Sequence, residues 1–104
     1  MRDICLAKLD KTRPVLVLTR WPALQAMTKV TVAPITTICK GLSSEVPLGK
    51  ANGLDQECVA AIDNCLTIPK ALLGPPIGAL LPSQEADLAR AIILAFDLDI
   101  PLTR

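Results

Sequence analysis

The chain has 104 residues, 51% of them hydrophobic and 20% charged, which excludes a disordered polypeptide and suffices for one domain, residues 1–104, with a single core. The formal net charge is +1, but residues 1–50 hold eight Lys or Arg against three acids and residues 51–104 hold three against seven, so the N-terminal half can form an anion-binding face. Charges at Arg2, Asp3 and Lys8 predict no signal peptide, and the longest apolar run, residues 91–96, is too short to span a bilayer, so we expect a cytoplasmic protein with no membrane partner.

The first predicted element is a strand over residues 3–9, followed by a tight Asp10-Lys11-Thr12 connection. Strands at 14–19 and 29–36 follow, both dense in β-branched residues and separated by a loop that carries Trp21-Pro22. Residues 40–44 read as a loop, 45–48 as a short edge strand because of Pro47, and Asn52-Gly53 as a turn. Further strands are expected at 57–62 and 65–68, then a short one at 77–80 that Gly74-Pro75-Pro76 leads into. One helix is expected over 84–97, with Ser83 as its N-cap and Leu88, Ile92, Ala95 and Phe96 as the stripe that packs on the sheet. Many short strands and one terminal helix predict a mainly β fold, a small and strongly bent barrel.

Several chemistries are excluded at once. With no histidine, neither Ser-His nor Cys-His nucleophile pairs nor histidine-based metal hydrolysis is available. The five glycines are too scattered for a phosphate-binding loop. Cys5, Cys39, Cys58 and Cys65 show no C-x-x-C spacing, which predicts buried, reduced thiols and no metal site. Asp97 and Asp99 fall at a frayed helix end, where solvated charges are expected.

What remains centres on Arg13. Pro14 holds it extended at the start of one strand, while Thr36 and Thr37 end the next. If these strands pair antiparallel, a guanidinium meets a hydroxyl, a minimal device for stabilising a phosphate in transition. The same residues also read as a surface cation and as strand-end hydroxyls bonding local backbone.

Ordered motifs bear on these readings. Arg2-Asp3-Ile4 and Leu9-Asp10 are followed by Arg13-Pro14-Val15-Leu16-Val17-Leu18, and then by Val30-Thr31-Val32-Ala33-Pro34-Ile35-Thr36. Next come Gly41-Leu42-Ser43-Ser44-Glu45-Val46-Pro47-Leu48, Gly53-Leu54-Asp55 and Leu66-Thr67-Ile68. In this order they resemble the MazF/PemK family of toxin endoribonucleases along nearly the whole chain. The resemblance implies a small SH3-like barrel of the CcdB/MazF type with a C-terminal helix. It also implies a homodimer, a cognate antitoxin with a disordered acidic and apolar tail, and single-stranded RNA as substrate.

The resemblance further implies that Arg13 and Thr36, which match the family's catalytic residues, are the catalytic pair of a cofactor-free, metal-independent cleavage. The ribose 2′-OH attacks the adjacent phosphate, leaving a 2′,3′-cyclic phosphate and a 5′-hydroxyl. With aromatic content of only 2%, base stacking cannot be extensive, so RNA contacts are expected from Lys11, Thr12, Thr37, Lys40 and Ser43. One departure matters. The family commonly carries a G-S-E-Q-x-G-x loop before the R-P-V motif, whereas here Lys11-Thr12 joins directly to Arg13. The loop's acidic residue has no counterpart, leaving Asp10 or another group to take the proton. Two other readings stay open: a CcdB-like toxin that binds a topoisomerase without cleaving RNA, and a silenced fold that only binds an antitoxin.

Overall fold

The computed structural model describes residues 2–99. Its strands are β1 (Asp3–Lys8), β2 (Thr12–Val17), β3 (Lys29–Thr36), β4 (Glu45–Leu48), β5 (Cys58–Ala61), β6 (Leu66–Pro69) and β7 (Leu73–Ala79). Two helices, α1 (Trp21–Leu24) and α2 (Glu85–Ala95), complete it with four short 3-10 turns. The fold is therefore mainly antiparallel β with a C-terminal helix, as expected. The sheet runs β4-β5-β3-β2-β1-β7, with β6 on β3, and it does not close, so the barrel-like curvature is reached without β4 pairing to β7.

The curvature follows from β3, which changes partners along its length. Lys29–Val32 pairs with β6, Val32–Pro34 with β2, and Ile35–Thr36 with β5. Pro34 marks the departure from β2, since proline has no N–H for the ladder. Alternation along the first three strands then gives each face its own core. Ile4, Leu16, Ala33 and Ile35 meet Leu88 and Ala91 of α2 together with β4 and β5. Cys5, Ala7, Val15, Val17, Val30 and Val32 meet Ile68 of β6, with Leu24 of α1 packed alongside.

Local differences from the sequence reading have plain causes. Residues 21–24 form a single helical turn, not a loop, with Pro22 in its first positions, where proline's missing donor costs nothing. β7 runs through Gly74-Pro75-Pro76 and does not wait until 77. Among the described residues it pairs with β1 alone, so a proline can sit with its absent N–H on the outer edge, and the register shifts where β1 meets Pro76. Ser83 does not cap α2, because residues 82–84 form a 3-10 turn that puts Gln84 at the N-cap without a side-chain bond. Phe96 lies just past the last turn and is 57% exposed, so it drops out of the packing stripe. Cys39 is exposed, contrary to expectation, whereas Cys5 and Cys58 are buried. Burial is the main cause that pushes the thiols of Cys5 and Cys58 up from their ordinary value. No helix among the described residues is long and apolar enough to cross a membrane.

Candidate functional site

β2 and β3 pair in the register Val15↔Pro34, Leu16↔Ala33, Val17↔Val32. Continued two residues beyond Pro34, this register sets Arg13 opposite Thr36. Arg13 shares a strand face with Val15 and Val17, and Thr36 shares one with Val32 and Pro34, so both stand on the face opposite α2. Because β3 leaves β2 at this point to pair with β5, the gap between the strands opens into a cleft of ≈ 550 Å³. Arg13, Thr36, Lys40 and Asp10 line it, with Asn64 on its far wall and Leu9, Ile38 and Leu66 supplying apolar surface.

Arg13, Asp10 and Thr36 each have defined partners in the cleft. Arg13 makes a bidentate pair with Asp10, Nε to Oδ1 at 3.0 Å and Nη2 to Oδ2 at 3.1 Å. This occupies one side of the guanidinium fork and leaves Nη1 and the outer Nη2 hydrogen for a ligand. The guanidinium, with the adjacent Lys11 N–H, holds the Asp10 carboxyl down at about 2, and Asp10 in turn raises Arg13. The Thr36 hydroxyl accepts from the N–H of Ile38 at 3.1 Å, which leaves its own proton to donate. The charged residues that line the cleft are Arg13, Lys40 and Asp10, two cations against one acid, a balance that favours an anion.

The loop before β4 is set by Glu45. Its carboxylate accepts the N–H groups of Lys40 and Leu42, at 3.2 and 3.1 Å, and the Cys39 thiol at 3.5 Å. Desolvation alone would raise this carboxyl, but the N–H donors of Lys40 and Leu42 outweigh it and the group titrates low. The Lys40 backbone is thereby fixed while its side chain lines the cleft.

Of the residues expected to face RNA, Lys40 joins Arg13 and Thr36. Thr37 lines a neighbouring cleft that shares Ile35 and Thr36 with the first. Thr12 lines a separate depression with Leu6, Lys8 and Leu73. Lys11 sits in the turn between β1 and β2, and Ser43 in the loop ahead of β4, both outside the Arg13 cleft. Sequence reasoning missed Asn64 and Ile38, which no local pattern marks, since only the partner exchange of β3 brings the residue 62–65 turn across the cleft. It also missed the organising role of Glu45, although that residue stands inside the Gly41–Leu48 motif. No group of three or more His, Cys, Asp or Glu able to hold a metal ion occurs among the described residues.

Residues 2–96 match the family described as PemK-like, MazF-like toxin of type II toxin-antitoxin system. Over 99 residues, 95% of this chain and 96% of the relative, the sequence is 57% identical to Endoribonuclease MazF3 of Mycobacterium tuberculosis. The solved structure of Mycobacterium tuberculosis toxin MazF-mt6 is 56% identical, with a TM-score of 0.93 covering 95% of this chain and 100% of that one. An endoribonuclease from a mycobacterial species, solved with its cognate antitoxin, superposes with a TM-score of 0.84 over 95% of each chain. At 22% identity that last likeness is one of fold.

Proposed function

The chain belongs to the PemK-like, MazF-like family of type II toxins, and from that premise we propose that it is a metal-independent endoribonuclease acting on single-stranded RNA. The observation that carries the reading is the meeting of Arg13 and Thr36 in one cleft, each with donors left over. The 2′-OH beside the scissile phosphate loses its proton to solvent water as its oxygen attacks phosphorus, the P–O5′ bond breaks, and the products are a 2′,3′-cyclic phosphate and a 5′-hydroxyl. Arg13 offers its free edge to the phosphorane charge, and Thr36 donates to a second phosphate oxygen. Both act on charge that grows only as the transition state forms.

Asp10 holds the guanidinium and is a poor base, since a carboxyl near 2 has little affinity for the 2′-OH proton at neutral pH. The raised Arg13 is likewise a poor acid, so the departing 5′ oxygen takes its proton from water. Lys40 adds a phosphate contact in the same cleft, and Thr37 contacts the chain where it crosses into the neighbouring one. Lys11, Thr12 and Ser43 meet more distant nucleotides. The likeness to a named endoribonuclease at 57% identity favours cleavage over topoisomerase binding or a silenced fold.

In the cell the toxin acts in the cytoplasm as a homodimer. A cognate antitoxin holds it in check by laying an acidic, apolar tail over the cationic cleft. The test is cleavage of single-stranded RNA in EDTA, followed by chemistry of the new ends. Fragments should require a kinase before their 5′ ends can be ligated. A strict Mg²⁺ requirement with 5′-phosphate ends would overturn the mechanism.

A further inference from the structure

Two clefts meet at Thr36. One holds Arg13 and Lys40, and the other, of ≈ 270 Å³, is lined by Leu6, Pro14, Leu54, Asp55, Gln56 and Ile77 along with Thr37. This second cleft is built by the Gly53-Leu54-Asp55 loop, whose three residues do three different things. Gly53 adopts φ 87°, and a Cβ on it would lie 2.3 Å from the Ile77 carbonyl oxygen, so glycine clamps the loop against β7. Leu54 packs against the core, and Asp55 is exposed at the cleft.

Asp55 differs from the other acids around the site. Asp10 is committed to Arg13, Glu45 to the 39–42 loop, and Asp63 to the Ser44 hydroxyl. Neither Asp55 nor Gln56 makes a side-chain hydrogen bond among the described residues, although the clamp at Gly53 fixes the chain just before them. A preorganised loop with its polar groups unspent is built for a ligand.

We propose that this cleft holds the base of one of the two nucleotides flanking the scissile phosphate, and that Asp55 selects a base bearing an exocyclic amino group over uracil. The inference rests on the ribonuclease reading above. Thr36 lines both clefts, so a phosphate bonded to its hydroxyl beside Arg13 has a neighbouring nucleotide within reach of the second cleft. The cleft is smaller than the roughly 300 Å³ at which drug-sized sites begin, which suits a single ring system. Pro14, Leu54 and Ile77 supply flat apolar walls where no aromatic residue lines the cleft. A carboxylate offers acceptors only. Cytosine, adenine and guanine each present an amino group to it, whereas uracil presents one N–H between two repelling carbonyls. The Gln56 amide can donate to the acceptor beside the amino group.

The experiment uses chimeric oligonucleotides with one ribonucleotide, and therefore one cleavable bond, and every base pair choice at the two flanking positions. Single-turnover rates are compared for wild type and Asp55→Asn, with thermal midpoints confirming equal folding of this exposed, isosteric variant. At one of the two positions wild type should cleave amino-bearing bases at least tenfold faster than uracil, and Asp55→Asn should reduce that ratio below about threefold. The other position should keep its ratios. A pyrimidin-2-one nucleotide, which is cytosine without its amino group, should lose rate with wild type and not with the variant. Cleavage by both proteins with the same base preference overturns the base pocket and leaves the ribonuclease reading standing. No cleavage of any oligonucleotide by wild type overturns both.

Discussion

At the scale of single residues, Arg13 and Thr36 are proposed to act on charge that appears only in the transition state, which fixes how their loss should read out. Arg13→Ala should lower single-turnover cleavage by roughly 10²–10³, or about 3–4 kcal/mol, with a much smaller change in affinity for a non-cleavable 2′-deoxy strand. Thr36→Ala should follow the same pattern more weakly, because a neutral donor contributes less than a charged one. Arg13→Lys should rescue little, since an ammonium cannot hold Asp10 on one edge and a phosphate on another. Near wild-type cleavage by Arg13→Ala would misplace the site. Asp10 makes a separate prediction about stability. Its folded value of about 2 lies below the usual 3.8, so its pairing is complete above about pH 4 and is lost as pH falls through about 2. The thermal midpoint of wild type should exceed that of Asp10→Asn near pH 6 by a small margin that shrinks below about pH 4 and disappears only below pH 2. A margin that grew on acidification would contradict the ion pair. The Asp10–Arg13 partnership was accessible from a spacing of three residues in a tight turn, but a turn alone does not say which way a guanidinium points.

At the scale of elements, β3 was legible to the residue from its β-branched run, and β4 from a short segment whose Pro47 suits an edge strand. β7 was not legible, since Gly-Pro-Pro reads as a breaker until the sheet order shows that the strand lies on an edge. The Asn52-Gly53 turn shows the same divide. Its dipeptide announced a turn, but only packing reveals that the turn presses on β7. Asn52 is buried there, accepting from the Gly49 N–H and donating to the Ala79 carbonyl and Gln84, which ties β7 and the start of α2 to one point. A Cβ on Gly78 would lie 1.7 Å from the Asn52 carbonyl oxygen. Gly78→Ala should therefore force the turn off β7 and destabilise by about 2–3 kcal/mol, a fall of roughly 10 °C or more in Tm for a domain of this size. Gly49→Ala, with open space around its Cβ, is the control. Equal midpoints for the two variants would mean that the close approach does not hold the turn.

At the scale of the whole molecule, mean hydropathy is +0.45, and large apolar side chains remain exposed outside the two cores. Leu94, Phe96 and Leu98 follow one another around the end of α2, each 45–57% exposed. Such a cluster suits the interface of the proposed homodimer, so light scattering at micromolar concentration should report a dimer and Phe96→Glu should shift it toward monomer. A wild-type monomer under those conditions would remove the dimer from the reading. Taken alone, the amino-acid order determined the class of fold and the position of the C-terminal helix, because the period of two in the strands and of 3.6 in the helix is written into local spacing. It placed Arg13 beside Thr36 or Thr37 on the condition that the two strands pair antiparallel, and the register Val15↔Pro34 sets Thr36 opposite Arg13. The tertiary structure alone decided that the sheet stays open, that Lys40 and Asn64 reach the Arg13 cleft while Lys11 and Ser43 lie outside it, and that Thr36 divides two clefts. Those facts come from β3 exchanging one neighbour for another at Pro34, an event set by long-range packing that no window of sequence contains.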